Sequence, residues 1–196
     1  MLALFIPSGI IFDVIKLTDN FLRVEDHQNL LQCMLSEGIL PWKYNQRKVA
    51  TDLKGKEVAD DLGNYQFTHL FYTFHSVTGN TRHVISQEID LVKPILDRIS
   101  FIALHRVKAN LEPVKPERYM SEWHYDVAMN NKPCKSMTTA IYYVNTCDGY
   151  TEFEDGTKVE CVANRLVWFP SDIKHRGVSQ LDTKVKSVIN LNYFQL

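Results

Sequence analysis

The sequence predicts a mainly β protein with helices ahead of its strands, an α+β chain built around a β-sandwich or jelly roll with the helices packed on the outside of one sheet. Three observations carry that prediction. Two segments in the first hundred residues place apolar side chains at helical spacing. From Phe101 onward the chain breaks into short β-rich runs separated by turn residues. Between two of those runs, Asp155-Gly156 is the strongest hairpin signal in the chain.

The elements follow in order. Ile11 to Leu17 reads as a buried strand. In DHQNLLQCMLSEG, Leu30, Leu31, Met34 and Leu35 make one apolar face, and Gly38 supplies a left-handed stop. Pro41 to Asn64 has no period and is rich in Lys, Asp, Gly and Asn, which predicts a surface excursion. Phe67 to Phe74 reads as a strand and Ile89 to Ile99 as a second helix, with Pro94 early enough to be tolerated in its first turn. The runs FIALHRVKANL, SEWHYDV, MTTAIYYVN, YTEFEDGTKVECV, RLVWFP, KHRGV and VKSVINLNYF are then read as strands. A chain of 196 residues is expected to form one domain, with residues 1–100 as a supporting strand and helix region and 101–196 as the jelly-roll core.

Composition excludes several function classes. The 22 basic and 23 acidic residues are scattered and leave a net charge of -1, so no electrostatic footprint for nucleic acid or an anionic membrane stands out. The apolar N-terminus lacks the basic segment and cleavage site of a signal peptide, and no apolar run is long enough to span a bilayer, so a soluble, cytoplasmic protein is expected. Cys33, Cys134, Cys147 and Cys161 are far apart, which fits unpaired thiols in a reducing compartment. A serine nucleophile elbow, a phosphate loop and a zinc-protease helix motif are all absent. His27, His69, His75, His83 and His105 have no partner at ligand spacing and read as ordinary core or surface histidines.

His124 and Asp126 flank Tyr125 in SEWHYDV, and on a strand positions two apart share a face. Both can reach one ion. His175, in FPSDIKHRG, comes from a later β-rich run and completes a set of two imidazoles and one carboxylate on one side of a metal. That arrangement leaves open positions for a chelating co-substrate and dioxygen.

The same stretch resembles the prolyl-4-hydroxylase-like branch of the 2-oxoglutarate/iron(II) dioxygenases, including small bacterial and phage forms. WHYD, TTAIYYVN, DGYTEF, NRLVWFPSDIKHRG and VKSVINLNYF carry the resemblance, from about Arg106 to Leu196. It implies a double-stranded β-helix, a cupin-like jelly roll with the metal near one mouth. It further implies Fe(II) on His124, Asp126 and His175, 2-oxoglutarate and dioxygen as co-substrates, ascorbate as an optional reductant, and hydroxylation coupled to succinate release. A peptidyl proline is the substrate the resemblance suggests, although the fold also serves free amino acids, nucleic-acid bases and small metabolites.

A chelated 2-oxoglutarate buries its distal carboxylate, which needs a cation. Lys184 and Lys186 share a parity that does not choose between them. Matching VINLNYF to the family's last core strand puts Lys186 at the family's basic position, where most members carry Arg rather than Lys. The resemblance also gives Tyr143 a hydroxyl donated to that carboxylate. Thr139 and Asn190 have the parity to line the same pocket, whereas Tyr142, Ile189 and Leu191 are expected to face the helices. Arg176 and Tyr119 are candidates to meet substrate, and Trp123 is expected to pack away from the metal. Specificity is expected in the loops Trp42 to Asn64 and Val127 to Ser136. The competing reading is a jelly-roll module that binds a metal or ligand without catalysis, or a zinc hydrolase with the same three ligands.

Overall fold

The computed structural model describes residues 14–48, 63–77, 80–129 and 132–195. The chain is built on a twisted antiparallel sheet faced by helices on one side and by a smaller sheet on the other. Its strands are β1 (Lys16–Thr18), β2 (Lys43–Asn45), β3 (Gln66–Val77), β4 (Asn80–Ile85), β5 (Ala103–Pro113), β8 (Thr138–Tyr143), β11 (Arg165–Pro170) and β13 (Val185–Phe194). The order across it is β1-β11-β8-β13-β5-β3-β2, with β4 paired to β3. The minor sheet joins β10 (Lys158–Glu160), β9 (Tyr150–Phe153) and β12 (His175–Val178), and β6 (Ala128–Met129) pairs with β7 (Lys132–Pro133). This is the predicted jelly roll.

Alternation along the strands creates two apolar layers. Ala140 and Tyr142 of β8 and Ile189 and Leu191 of β13 face α1 (Val24–Leu35), whose Leu30 and Met34 pack with them. Ile141 and Tyr143 point the other way and meet Phe153, Val159, Val167 and Phe169 between the two sheets. The expectation that Tyr142, Ile189 and Leu191 turn toward the helices agrees with this packing.

Several predicted boundaries move. The first strand covers Lys16–Thr18, and residues 11–13 of its prediction lie outside the described residues. The first helix begins at Val24 and stops at Leu35, with Gly38 left-handed in the turn beyond it, at φ 74°. The predicted helix from Ile89 to Ile99 is instead a 3-10 turn, Ile89–Val92, followed by α2, Lys93–Leu96. Pro94 explains the split, because it sits in the first turn of α2 and cannot donate to a helix running through from Ile89. Within the Pro41 to Asn64 excursion, Lys43–Asn45 pairs with β3, and residues 49–62 lie outside the described residues. Asp155-Gly156 turns the β9–β10 hairpin, with Gly156 at φ 88° and the Asp155 carboxylate accepting from Thr157 N–H at 2.9 Å.

One residue ties the helical layer to the sheet. Asn164 adopts φ 62°, a left-handed conformation that Asn tolerates better than most residues. Its side chain accepts from Leu22 N–H at 2.7 Å, donates to the Leu22 carbonyl at 2.9 Å and accepts from the Tyr142 hydroxyl at 3.0 Å. The same hydroxyl meets His27 Nδ1 at 2.7 Å, so this polar chain runs from β11's approach to α1. Asn164→Ala is expected to cost about 3 kcal/mol, because it leaves buried groups unpaired and strains the backbone. Asn164→Gly, free of that strain, should cost about 1 kcal/mol less, and urea unfolding of both variants checks the order.

Candidate metal centre

His124 and His175 are held by each other's backbone. They form an isolated antiparallel bridge in which each N–H donates to the other's carbonyl at 3.1 Å, and their rings lie 4.7 Å apart. The segment around SEWHYDV is therefore not the regular strand the sequence suggests. Met120 pairs with Val178 and His124 with His175, so four steps on one side oppose three on the other, the spacing of a bulge. Asp126 lies past the bridge, where the chain has left strand geometry. The two residues converge because the backbone bends after the bridge, not because a pleat alternates.

The convergence is close. His124 Nε2 and His175 Nε2 each lie 3.8 Å from Asp126 Oδ1, and one ligand atom from each of the three residues fits within 4.8 Å of the others. Both imidazoles turn Nδ1 toward a main-chain carbonyl, His124 to Glu122 at 2.9 Å and His175 to Ile173 at 3.2 Å. With Nδ1–H donating there, Nε2 keeps its lone pair for a metal. Asp126 is oriented from behind: Asn192 Nδ2 donates to its Oδ2 at 3.3 Å, and Arg106 donates to its carbonyl at 3.2 Å and to Asn192 Oδ1 at 3.0 Å.

Electrostatics keep this donor set ready. Burial pushes the His124 imidazole down to about 4, helped by the charge of His175, so it is neutral over the ordinary range of pH. For Asp126, burial opposes ionisation, but His175, Arg106, His124 and Lys108 outweigh it and hold the carboxyl far below its usual range. Two imidazoles facing one carboxylate are a ligand set for a divalent ion.

The triad opens into a cavity of about 640 Å³. Tyr143, Lys186 and Asn190 line it, whereas Thr139 does not. Thr139 shares their inward parity, but it is fully buried against Ser171 Oγ at 2.8 Å and Asn192 Nδ2 at 3.0 Å, supporting the group behind Asp126. Lys186 is buried and faces the cavity while Lys184 is exposed, so tertiary packing separates the two lysines that parity could not. The Lys186 stem passes so close to Gly149 that a Cβ there would sit 3.0 Å from its Cδ and 2.9 Å from the Val178 carbonyl. Only glycine leaves that room.

Arg176 and Tyr119 do not line the cavity. Arg176 is paired with Glu152 at 2.7 Å and lies 4.4 Å over the Trp123 ring, and Tyr119 is flanked by the ammonium groups of Lys48 and Lys115, each 4.4 Å from its ring. Trp123 is also absent from the cavity wall.

The sequence reading missed the contribution of β5. Its inward residues Arg106, Lys108, Asn110 and Glu112 all line the cavity, alternating with buried Val107 and Ala109. That alternation was the available signal. Glu112 sits among three lysines: it pairs with Lys48, with Lys115 at 2.9 Å and with Lys186 at 3.5 Å. Burial opposes its ionisation, yet the three ammonium groups keep it charged. Lys48, desolvated in the same cluster, is pushed down to about 7.

The chain has the fold of the 2-oxoglutarate/iron(II) oxygenases. It superposes on a viral collagen prolyl hydroxylase from Paramecium bursaria Chlorella virus-1 with a TM-score of 0.57 at 13% identity, over 93% of this chain and 97% of that one. It is similar to a Trichoplax adhaerens prolyl hydroxylase in complex with a hypoxia inducible factor peptide, with a TM-score of 0.58 at 15% identity, covering 94% and 84%. It is also similar to a non-heme α-ketoglutarate-dependent epimerase of nogalamycin biosynthesis, with a TM-score of 0.58 at 10% identity, covering 92% and 76%. No family model and no curated protein matches the sequence. Among the described residues, no helix is long and apolar enough to cross a membrane.

Two outcomes are expected of this site. Asn192→Ala should weaken divalent-metal binding about 10- to 100-fold by releasing Asp126, which calorimetric titration measures. The His124 imidazole takes up its proton near 6.5 when unfolded and near 4 when folded, so acid favours the unfolded chain between those values. Metal-free protein should therefore lose up to ~2 kcal/mol of stability between pH 7 and pH 5 through this group. His124→Gln should flatten that part of the urea-midpoint profile.

Proposed function

We propose that this protein is an iron(II)- and 2-oxoglutarate-dependent oxygenase that hydroxylates its substrate. The observation that carries the reading is one cavity with a two-histidine, one-carboxylate group at one end and a surplus of buried ammonium groups around Glu112 at the other.

The residues fit both groups. Nitrogen, nitrogen and oxygen donors on one side of an ion suit iron(II) and leave the opposite side for exchangeable ligands. Among the described residues, three lysines against one carboxylate leave local positive charge at this end of the cavity for the distal carboxylate of a dianion. When bound, the iron and 2-oxoglutarate supply dioxygen activation, with decarboxylation to succinate coupled to oxidation of the substrate.

The chain's own residues do the rest. His124 and His175 would hold the ion through Nε2, and Asp126 would bind it through a carboxylate whose second oxygen is kept on Asn192. Lys186 would meet the distal carboxylate, with Glu112 holding the ammonium in place from behind. The Tyr143 hydroxyl donates to Thr151 Oγ1 at 2.7 Å, and this pair lines the same wall, ready to turn toward the carboxylate. Ile141 and Val188 supply apolar wall that limits water.

A prolyl hydroxylase is the finer reading. It is supported by two of the similar structures, a collagen prolyl hydroxylase and a prolyl hydroxylase in complex with a hypoxia inducible factor fragment. The test is a succinate-release screen with proline-containing peptides and free amino acids, with mass spectrometry for added oxygen. Before that, Fe(II) and 2-oxoglutarate added under nitrogen should produce the visible charge-transfer band of a chelated keto acid, and absence of the band would favour a non-catalytic module or a zinc hydrolase. Asp126→Ala is expected to abolish the band and succinate formation. Lys186→Ala should raise the 2-oxoglutarate KM at least tenfold, as expected for loss of a charge-assisted hydrogen bond.

A further inference from the structure

The cavity holds more positive charge than the proposed chemistry uses. Among the described residues that line it, Arg47, Lys48, Arg106, Lys108 and Lys186 are basic and Glu112 and Asp126 acidic. A divalent metal and a doubly charged 2-oxoglutarate cancel one another, so filling the site as proposed leaves the surplus unchanged.

Most of these cations are already engaged. Lys48 and Lys186 lie on Glu112, and Arg106 is spread over Asn192 and the main chain of Asp126. Lys108 differs. It makes no hydrogen bond or close ion pair among the described residues, yet its side chain lines the cavity near enough to Asp126 and His124 to act on their charges. Metal binding would draw off the Asp126 charge that attracts it. Desolvation, helped by the charge of Arg106, pushes this ammonium down to about 8 against the opposing pull of Asp126.

Its place in the sheet decides what it can meet. Lys108 pairs in register with Asn190, between the Arg106–Asn192 pair at the metal end and the Lys186–Glu112 pair at the other. A bound 2-oxoglutarate has two carboxylates, one for the metal and one for Lys186. Only the uncoordinated oxygen of the metal-bound carboxylate would be left for Lys108 to share.

We propose that Lys108 is the cationic half of a substrate subsite, and that the substrate carries a carboxylate that meets this ammonium beside the metal. Asn110 and Asn190 line the cavity beside it, and among the described residues their amide oxygens have no hydrogen-bond partner. The Lys108 ammonium is desolvated within the cavity wall, so the carboxylate belongs to a small acid or to a peptide end or side chain that reaches in. This inference rests on the oxygenase reading for the two carboxylates it sets aside, and the test separates the two.

The experiment uses matched acids and amides as probes: L-aspartate with L-asparagine, L-glutamate with L-glutamine, and proline-containing tripeptides with a free or amidated C-terminus. Each is titrated calorimetrically into protein held under nitrogen with Fe(II) and saturating 2-oxoglutarate, so that the Lys186 end is filled, and is then assayed for stimulation of succinate release in air. At least one acid should bind tenfold or more tightly than its amide. In Lys108→Met that preference should collapse toward one, and Lys108→Arg should restore it. If the charge-transfer band forms but every acid binds no better than its amide, or the preference survives in Lys108→Met, the substrate subsite is overturned while the oxygenase reading stands. If no band forms, the oxygenase reading fails, and an acid preference lost in Lys108→Met would then support an anion subsite by itself. A methionine variant that unfolds is replaced by Lys108→Gln, whose circular dichroism is compared with wild type before titration.

Discussion

The strands at the centre of the major sheet must bury apolar side chains on one face and hold charged ones on the other, and the remaining structure depends on that division being kept in register. On β5, Val107 and Ala109 join the helical layer while Arg106, Lys108, Asn110 and Glu112 face the cavity. On β13, Ile189 and Leu191 join the same layer while Lys186 and Asn190 face the cavity. The pairing sets Lys186 opposite Glu112 and Asn192 opposite Arg106, so that complementary groups meet across the strands. A slip of one residue would drive four polar side chains of β5 into the apolar layer. Register is thus specified from both faces at once.

The cost of that arrangement is a set of buried charges, and their pairing explains the shape of the site. A carboxylate among three lysines satisfies itself and fixes the direction of each ammonium, Lys186 included. Removing one member leaves another charge stranded in a poorly solvated place. At the metal end the same logic uses neutral groups: Thr139, Ser171 and Asn192 form a hydrogen-bonded chain behind Asp126. The triad is therefore held at several removes from the ion it would bind, and Gly149 gives the Lys186 stem its passage.

Much of this was legible in the residues. Alternation in MTTAIYYVN and VKSVINLNYF correctly sorted Tyr142, Ile189 and Leu191 from Tyr143, Lys186 and Asn190, because a pleated strand permits no other sorting. The same rule succeeded by accident in SEWHYDV. His124 and Asp126 do meet, but through a bulge and a bend that no periodicity encodes. It overreached at Thr139, where inward parity was right and access to the cavity was not, since Ser171 and Asn192 fill the space in front. Arg176 and Tyr119 stood near the motif in sequence, yet neither lines the cavity: Arg176 is paired with Glu152, and Tyr119 packs against Lys48 and Lys115.

What the sequence determined by itself is what local rules can carry: the strand and turn chemistry, the two faces of each strand, and the three residue types that can share a metal. Strand periodicity and ligand chemistry are properties of a few neighbouring residues, and neighbouring residues are what a sequence displays. Only the tertiary structure decided which of two lysines enters the cavity, that Glu112 gathers three of them, and that Lys108 is left without an ion partner among the described residues. Those outcomes depend on groups brought together from β5, β13 and the segment after β2, dozens of residues apart. Burial and charge act through space, and only the fold sets the distances.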